Sequence, residues 1–180
     1  TEPEEIEREK KGKTRVIGFA GKGGVGKTTL AALFLRTLSE KDSYTILAVD
    51  SDPNICLPDL LGVENYETLS SIIEKRKGSR LQPRRFKQEF NSLLLKNEQE
   101  GYDLLPMGRS EGQGCYCAVN NLLRSAFNSA VLGGDYAYDY VIVDCEAGLE
   151  HFSRKTSAII DDLVVVTDFF RMGLSTIKII

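Results

Sequence analysis

An octapeptide rich in glycine is the first feature of the sequence with chemical meaning. It runs Gly21-Lys-Gly-Gly-Val-Gly-Lys-Thr28 and has the spacing GxxxxGK[ST]. Glycines let the backbone turn several N–H groups toward one anion, and Lys27 adds a positive charge for the phosphate oxygens. The Thr28 hydroxyl is suited to bind Mg²⁺. The spacing therefore predicts a loop that binds nucleotide phosphates through Gly23, Gly24, Val25, Gly26, Lys27, Thr28 and Thr29.

Two acidic segments, each at the end of an apolar run, are expected to complete this site. Asp144 ends the run that begins at Tyr140, and its carboxylate is suited to hold Mg²⁺ through the water shell of the ion. Gly148 follows shortly after and can donate its N–H to the γ-phosphate. Asp50 and Asp52 end another apolar run, and one of them can orient the attacking water. The alternative for Asp52 is structural, since an aspartate before a proline often caps a turn.

Cys115 and Cys117 form a second constellation, separated by a single residue. Two thiols at positions i and i+2 of an extended segment can point to one side and bind one soft cation. They supply two ligands, whereas a closed zinc site takes four. A two-fold axis between two copies of the chain would bring the second pair. The spacing therefore favours a metal site shared by a homodimer, and the alternative is a chance pair of buried thiols.

The remaining cysteines and the single histidine are weaker candidates. Cys56 and Cys145 are expected to pack as small hydrophobic side chains. Cys145 follows Asp144 directly and can also sense the nucleotide state. His151 lies far in sequence from the cysteine pair, so we expect a hydrogen-bonded structural histidine rather than a metal ligand.

The elements that must carry these residues alternate between short apolar runs and helical periods. The runs predict strands at residues 15–20, 45–50, 102–107, 140–144 and 163–167. Helical periods occupy residues 28–38 and 119–131. Because the strand runs are continuous rather than alternating, both faces of each strand are expected to be buried. The pattern predicts an α/β fold with a doubly wound, mostly parallel sheet flanked by helices.

The chain length suits one domain, because 180 residues with 42% apolar side chains can bury one sizeable core. We assign residues 1–14, which are mostly charged, to a flexible arm and residues 15–180 to one nucleotide-binding domain. That domain is expected to be incomplete at its C-terminal end, since the sequence stops inside a helical pattern. Residues 69–100 are the least sheet-like part, and we favour a solvated helical excursion over a partner-docking surface.

Charge and cysteine content exclude several classes of protein. The formal net charge of -3 does not favour a nucleic-acid partner. No apolar run approaches the roughly 18 to 20 residues that a membrane helix needs, so we expect no membrane partner. Four cysteines are too few for a disulfide scaffold. These features together predict a cytoplasmic protein.

Lys22 makes the phosphate loop more specific. The segment Lys22-Gly-Gly-Val-Gly-Lys-Thr-Thr29 resembles the deviant phosphate loop of the MinD and nitrogenase iron protein superfamily of dimeric ATPases. The resemblance covers residues 15 to about 176 and implies hydrolysis of ATP to ADP and phosphate. It implies that Lys22 reaches across the dimer to the nucleotide of the partner. Asp52 matches the first switch of these ATPases, and residues 144–148 match the second.

Cys115 and Cys117, combined with residues 144–154, are similar to the CooC-type ATPases of this superfamily, which assist nickel insertion into carbon monoxide dehydrogenase. The resemblance implies ATP or ADP with Mg²⁺ as cofactors, and Ni²⁺ or Zn²⁺ at the cysteine pair. It also implies apo carbon monoxide dehydrogenase or acetyl-CoA synthase as the protein partner. Two other types remain open. One is an electron-transfer ATPase like the nitrogenase iron protein, with an iron–sulfur cluster; the other is a positioning ATPase of the MinD or ParA kind.

Overall fold

The computed structural model describes residues 13–41, 43–75, 94–97, 100–108, 138–145 and 160–168. This part of the chain contains six strands and three helices, in the order β1 (Arg15–Gly21), α1 (Lys27–Ser39), β2 (Ile46–Asp50), α2 (Leu57–Leu60), α3 (Leu69–Lys75), β3 (Leu95–Asn97), β4 (Tyr102–Pro106), β5 (Tyr140–Asp144) and β6 (Asp162–Val166). None of the described helices is long and apolar enough to cross a lipid bilayer.

The six described strands form one sheet in the order β3-β4-β2-β5-β1-β6. β1 pairs in parallel with β5 and β6, and β2 pairs in parallel with β4 and β5. The short β3 pairs with β4 in the antiparallel direction. The carboxyl ends of the five parallel strands therefore lie along one side of the sheet, which we call the carboxyl edge, and their amino ends form the amino edge. In open α/β sheets, ligands bind at the carboxyl edge.

Helix α1 covers one face of the sheet. Its side chains Ala31, Ala32 and Leu35 are buried and belong to one apolar cluster with residues of β1, β2, β4 and β5. That cluster includes Phe19, whose ring lies 5.7 Å from the ring of Phe34 on α1. The two alanines let the helix backbone approach the sheet closely, and the burial of apolar surface fixes the helix there. This packing holds the N-terminus of α1 over the carboxyl edge.

The predicted α/β class and the mostly parallel sheet are confirmed. Each of the five predicted strands is present within one residue at either end, and α1 extends the predicted helix by one residue at each end. β2 is buried at every position and β5 at all but its first, as continuous apolar runs predict. The helix predicted at residues 119–131 lies outside the described residues.

Two features of the sheet differ from the prediction. β6 is not buried on both faces, because it is the last described strand of the sheet, and Leu163 and Val164 are 36% and 38% exposed. Residues 69–100, expected to be helical, begin with α3 but also contribute the edge strand β3. Three residues carry too short a pattern to predict a strand, and pairing with β4 decides the outcome.

The N-terminal arm predicted at residues 1–14 lies outside the described residues up to position 12. Its last two residues contact the rest of the domain in different ways. The Thr14 side chain is buried, and its hydroxyl donates to the Tyr138 carbonyl over 2.8 Å. The Lys13 ammonium pairs with Asp161 at 3.2 Å. Thr14 therefore packs as part of the domain, one residue before the predicted boundary at residue 15.

Candidate functional site

The predicted phosphate loop connects β1 to α1 at the carboxyl edge. Gly24 and Gly26 adopt φ angles of 80° and 92°, in the left-handed region where a side chain is strained. Gly21 is required for a different reason, because a Cβ there would lie 2.1 Å from the Val166 carbonyl oxygen on β6. Gly26 is the residue before the first helical residue, and the α1 N-terminus adds its positive end to the loop. The loop has the shape and the electrostatics of an anion cradle.

Lys27 is the buried cation of this loop. Lys27 is only 5% exposed, and its Nζ makes a long contact of 3.5 Å to the Lys22 carbonyl oxygen. A buried ammonium needs several acceptors, and this contact is the one hydrogen bond that the described residues offer it, so Lys27 is free to bind phosphate oxygens. Lys22 itself is exposed, in contrast to Lys27.

Strand register brings the two predicted acidic segments together. Asp50 on β2 and Asp144 on β5 are direct partners in the parallel ladder, and Asp144 is also the partner of Phe19 on β1. Partners in a ladder share one face of the sheet. Since Phe19 packs against α1, both carboxylates lie on the α1 face, at the end of the sheet where α1 begins.

Asp144 has the properties expected of a metal-binding carboxylate. It is completely buried, and neither of its oxygens accepts a hydrogen bond from a described residue. Burial raises its pKa from 3.8 to about 6, while the nearby Thr28 hydroxyl and the Lys27 ammonium lower it. Because burial outweighs both effects, the ionised carboxylate is costly until a further cation occupies the site. Thr28 and Asp144 thus fit Mg²⁺, which takes hard oxygen ligands and keeps part of its water shell.

Asp50 is buried as deeply, but its oxygens are occupied. Oδ1 accepts the Asp52 N–H at 3.0 Å, and Oδ2 accepts the Leu57 N–H at 2.8 Å, at the start of α2. Burial, followed by the repulsion of Asp144 and Asp52, raises the pKa of Asp50 to about 7, although the two backbone hydrogen bonds lower it. The Asp50 carboxylate is therefore occupied by backbone hydrogen bonds. Of the two predicted alternatives, Asp52 is the better candidate to orient water.

Asp52 lies in the loop between β2 and α2 and is 8% exposed. Its Oδ1 accepts the Asn54 N–H at 2.9 Å, which is the turn-capping contact expected of an aspartate before proline. Among the described residues, none donates to its Oδ2. The capping role and the predicted catalytic role use different oxygens, so the two interpretations are compatible.

The two described cysteines differ in burial. Cys145 is 2% exposed and its pKa is raised to about 12 by burial, which confirms that it packs as an uncharged thiol. The same prediction for Cys56 is wrong: this thiol is exposed, because the residue lies in the loop just before α2. Three predicted site residues, Cys115, Cys117 and Gly148, lie outside the described part of the chain, and so does His151, which we expect to be structural. Within the described part, no three His, Cys, Asp or Glu residues cluster to hold a metal.

Sequence reasoning missed that Asp50 binds the first N–H of α2. A capping aspartate normally stands directly before its helix, and Asp50 precedes Leu57 by a whole loop. No local pattern could reveal such a contact. The one available signal was an aspartate at the buried end of an apolar run, a place where a carboxylate needs partners.

Several known proteins are similar to this chain. An uncharacterized ATP-binding protein of Methanocaldococcus jannaschii is 41% identical over 172 residues, which cover 91% of this chain and 65% of that protein. The carbon monoxide dehydrogenase accessory protein CooC of Rhodospirillum rubrum is 30% identical over 176 residues, covering 89% of this chain and 65% of that protein. The chain thus spans somewhat less than two thirds of the length of these curated relatives.

Solved structures agree with the fold. The ParA family ATPase from Chlorobium tepidum TLS is 25% identical, with a TM-score of 0.65 over 92% of this chain and 67% of that chain. The septum site-determining protein MinD of Pyrococcus horikoshii OT3, complexed with Mg-ADP, is also 25% identical, with a TM-score of 0.62 over 92% of this chain and 63% of that chain. The CobQ/CobB/MinD/ParA nucleotide-binding domain matches residues 16–176, and the chain belongs to this family.

Proposed function

We propose that this chain is the nucleotide-binding part of a homodimeric ATPase that assists nickel insertion into carbon monoxide dehydrogenase or a related nickel enzyme such as acetyl-CoA synthase. The observation that carries the ATPase assignment is the convergence of Lys27, Asp52 and Asp144 at one edge of the sheet, beside the glycine loop. Cys115 and Cys117, together with the similarity to the Rhodospirillum rubrum accessory protein, support the nickel assignment.

The proposed reaction uses each group of the site for one task. Backbone N–H groups of the glycine loop and the Lys27 ammonium bind the phosphate oxygens. Thr28 and Asp144 hold Mg²⁺, which neutralises phosphate charge when bound. Asp52 accepts a hydrogen bond from the attacking water. The new bond joins this water oxygen to the γ-phosphorus as the bond to the ADP oxygen breaks, and a proton passes to solvent.

Lys22 and Gly148 complete the proposed catalytic set. Lys22 is exposed on the phosphate loop, where a side chain can reach a second copy of the chain. Its ammonium would stabilise charge on the nucleotide of the partner, as an arginine finger does in other ATPases. Gly148 would donate its N–H to the γ-phosphate. Hydrolysis then weakens the dimer, because the phosphate that joins both subunits is lost.

Metal delivery is proposed to use the same dimerisation. Cys115 and Cys117 from each copy supply four thiolates, the number that a closed site needs. Nickel is the cargo of this site, and Zn²⁺ is an alternative occupant. Because nucleotide and metal both favour the dimer, each should increase the affinity for the other. His151 is left as a structural residue in this scheme.

The test is anaerobic metal analysis of the full-length protein with and without a non-hydrolysable ATP analogue. We expect one Ni²⁺ or Zn²⁺ per dimer, with tighter binding when the analogue is present. Cys115→Ser/Cys117→Ser should abolish metal binding, and Cys56→Ser, which removes an exposed thiol, is the matched control. Lys22→Ala should leave nucleotide binding to the monomer intact. It should lower turnover by about a thousandfold, which is the lower end of the range known for arginine fingers.

Three outcomes would contradict parts of this proposal. Metal stoichiometry unchanged in the double cysteine variant would exclude the shared thiolate site. An iron–sulfur chromophore that purifies with the protein would favour an electron-transfer ATPase instead. Loss of monomer nucleotide affinity in Lys22→Ala would show that Lys22 acts within its own subunit.

A further inference from the structure

The Asp50 carboxylate joins the two ends of the loop that carries Asp52. Oδ1 accepts the N–H of Asp52 at the beginning of this loop, at 3.0 Å, and Oδ2 accepts the N–H of Leu57 at its end, at 2.8 Å. Asp50 is fully buried, so water cannot replace either contact. One side chain thus links the two ends of the loop of residues 51–56.

The loop between these two contacts needs such a constraint. Ile55 has a φ of 50°, and a β-branched residue in the left-handed region is strained. Within the loop, Asp52 accepts the Asn54 N–H on its side chain and the Ile55 N–H on its carbonyl oxygen. A strained conformation persists only where surrounding contacts over-determine it. The Asp50 carboxylate supplies two of those contacts.

Asp50 is also anchored firmly at its own backbone. It ends β2, which is paired on both sides, and its carbonyl oxygen accepts the Met107 N–H at 3.0 Å. The next residue, Ser51, donates both its N–H and its hydroxyl to the Asp144 carbonyl, at 3.0 and 2.7 Å. These hydrogen bonds of Asp50 and Ser51 therefore fix Asp52 relative to β5, the strand that ends in Asp144.

We propose that Asp50 is a positioning residue that holds Asp52 in place for the attacking water. This inference rests on the proposed function, because it acts through the role assigned to Asp52. Only a carboxylate offers an acceptor oxygen to both backbone N–H groups, since an amide of the same shape would turn a donor toward one of them. Burial, and to a lesser extent the repulsion from Asp144 and Asp52, makes this charge costly, and such a cost is expected only where the contacts are needed.

The test is a double-mutant cycle in the full-length protein. Asp50→Asn should lower kcat by about a hundredfold, the loss caused by misplacing a catalytic group by roughly 1 Å. The affinity for an ATP analogue should stay within about twofold, because the phosphate loop is untouched. In an Asp52→Ala background, Asp50→Asn should have no further effect on kcat. A residue with a merely structural role would lower kcat equally in both backgrounds.

Asp139→Ala is the matched control for lost stability. Asp139 also holds a backbone N–H, that of Thr45 at 2.8 Å, but at the amino edge of the same sheet. We expect this variant to lose stability while keeping the wild-type kcat. If Asp50→Asn fails to fold, Asp50→Glu replaces it in the cycle, since it retains both acceptor oxygens but displaces them by one methylene.

The outcomes separate this inference from the function on which it rests. Wild-type kcat in Asp50→Asn, or equal losses of kcat in the two backgrounds, would overturn the positioning role while leaving Asp52 as the water-orienting residue. Full turnover in Asp52→Ala alone would overturn the role of Asp52, and the positioning role with it.

Discussion

Asp144 at the carboxyl edge of the sheet differs from the aspartates at the amino edge in its hydrogen-bond partners. At the amino edge, Asp162 receives two hydrogen bonds from Arg15, at 2.5 and 3.0 Å, which hold its pKa below the usual value. Asp161 accepts the Val16 N–H at 2.9 Å and pairs with Lys13. At the carboxyl edge, Asp144 is fully buried, and no described residue donates a hydrogen bond to its oxygens.

This contrast distinguishes aspartates that the fold pairs from one that it does not. The same kind of side chain stabilises the fold where it is paired, and it weakens the fold where it is buried without a hydrogen-bond donor. The folded protein tolerates the cost at Asp144 because strands β1, β2 and β5 fix the backbone there by pairing on both sides. The paired aspartates of the amino edge stabilise the domain, whereas Asp144 is left without a hydrogen-bond donor among the described residues, as the proposed Mg²⁺ site requires.

The largest effect is expected from removing the buried cation of the carboxyl edge. Lys27→Ala should weaken nucleotide binding by about a hundredfold, since a charged hydrogen bond contributes roughly 3 kcal/mol. Lys13→Ala removes an exposed lysine from the amino edge and should leave the affinity unchanged. Titration calorimetry with ADP measures both. Equal affinity of Lys27→Ala and wild type would show that the loop does not bind the phosphates.

An intermediate effect, with opposite signs at the two edges, is expected from replacing an aspartate by asparagine. Asp144→Asn should raise the free energy of unfolding of the nucleotide-free protein at pH 8 by about 1–3 kcal/mol, because it removes a buried charge whose desolvation outweighs the effects of Thr28 and Lys27. Asp139→Asn should lower it by about 1 kcal/mol, since its carboxylate accepts hydrogen bonds from Thr45. Asp144→Asn should also abolish the dependence of nucleotide affinity on Mg²⁺.

The gain in stability of Asp144→Asn should depend on pH. Folding raises the pKa of Asp144 from 3.8 to about 6, so between these values the folded chain holds a proton that the unfolded chain has released. The stability of the wild type therefore falls as the pH rises through this window. Chemical denaturation should show a large gain at pH 8 and a small one near pH 4. An equal gain at both values would contradict the burial of an ionised Asp144.

The smallest effect is expected from replacing two glycines that have similar backbone conformations. Gly24 in the phosphate loop and Gly62 after α2 have φ angles of 80° and 73°, and each has open space around an added Cβ. Replacing either by alanine should cost about 1 kcal/mol in stability. Only Gly24→Ala should also weaken nucleotide binding, because its Cβ would enter the phosphate cradle. Loss of affinity in Gly62→Ala would show that the effect comes from stability.

The local sequence determined the parts of this protein that rest on short-range patterns. Continuous apolar runs predicted β1, β2, β4, β5 and β6, because a strand buried on both faces needs apolar residues at every position. The GxxxxGK[ST] spacing placed Lys27 and Thr28 at the start of α1, since glycines and a helix N-terminus are what a phosphate requires. The order of these elements was sufficient to predict a mostly parallel sheet.

The tertiary structure alone decided how distant residues meet. Pairing of β2 with β5 places Asp50 beside Asp144, and no local pattern encodes a register between strands so far apart in the chain. The same pairing buries Asp50, so its carboxylate takes the N–H groups of Asp52 and Leu57 instead of remaining free. Burial and hydrogen-bond partners are properties of the packed chain. They separate a carboxylate that holds a loop through two hydrogen bonds from one whose oxygens accept none from the described residues.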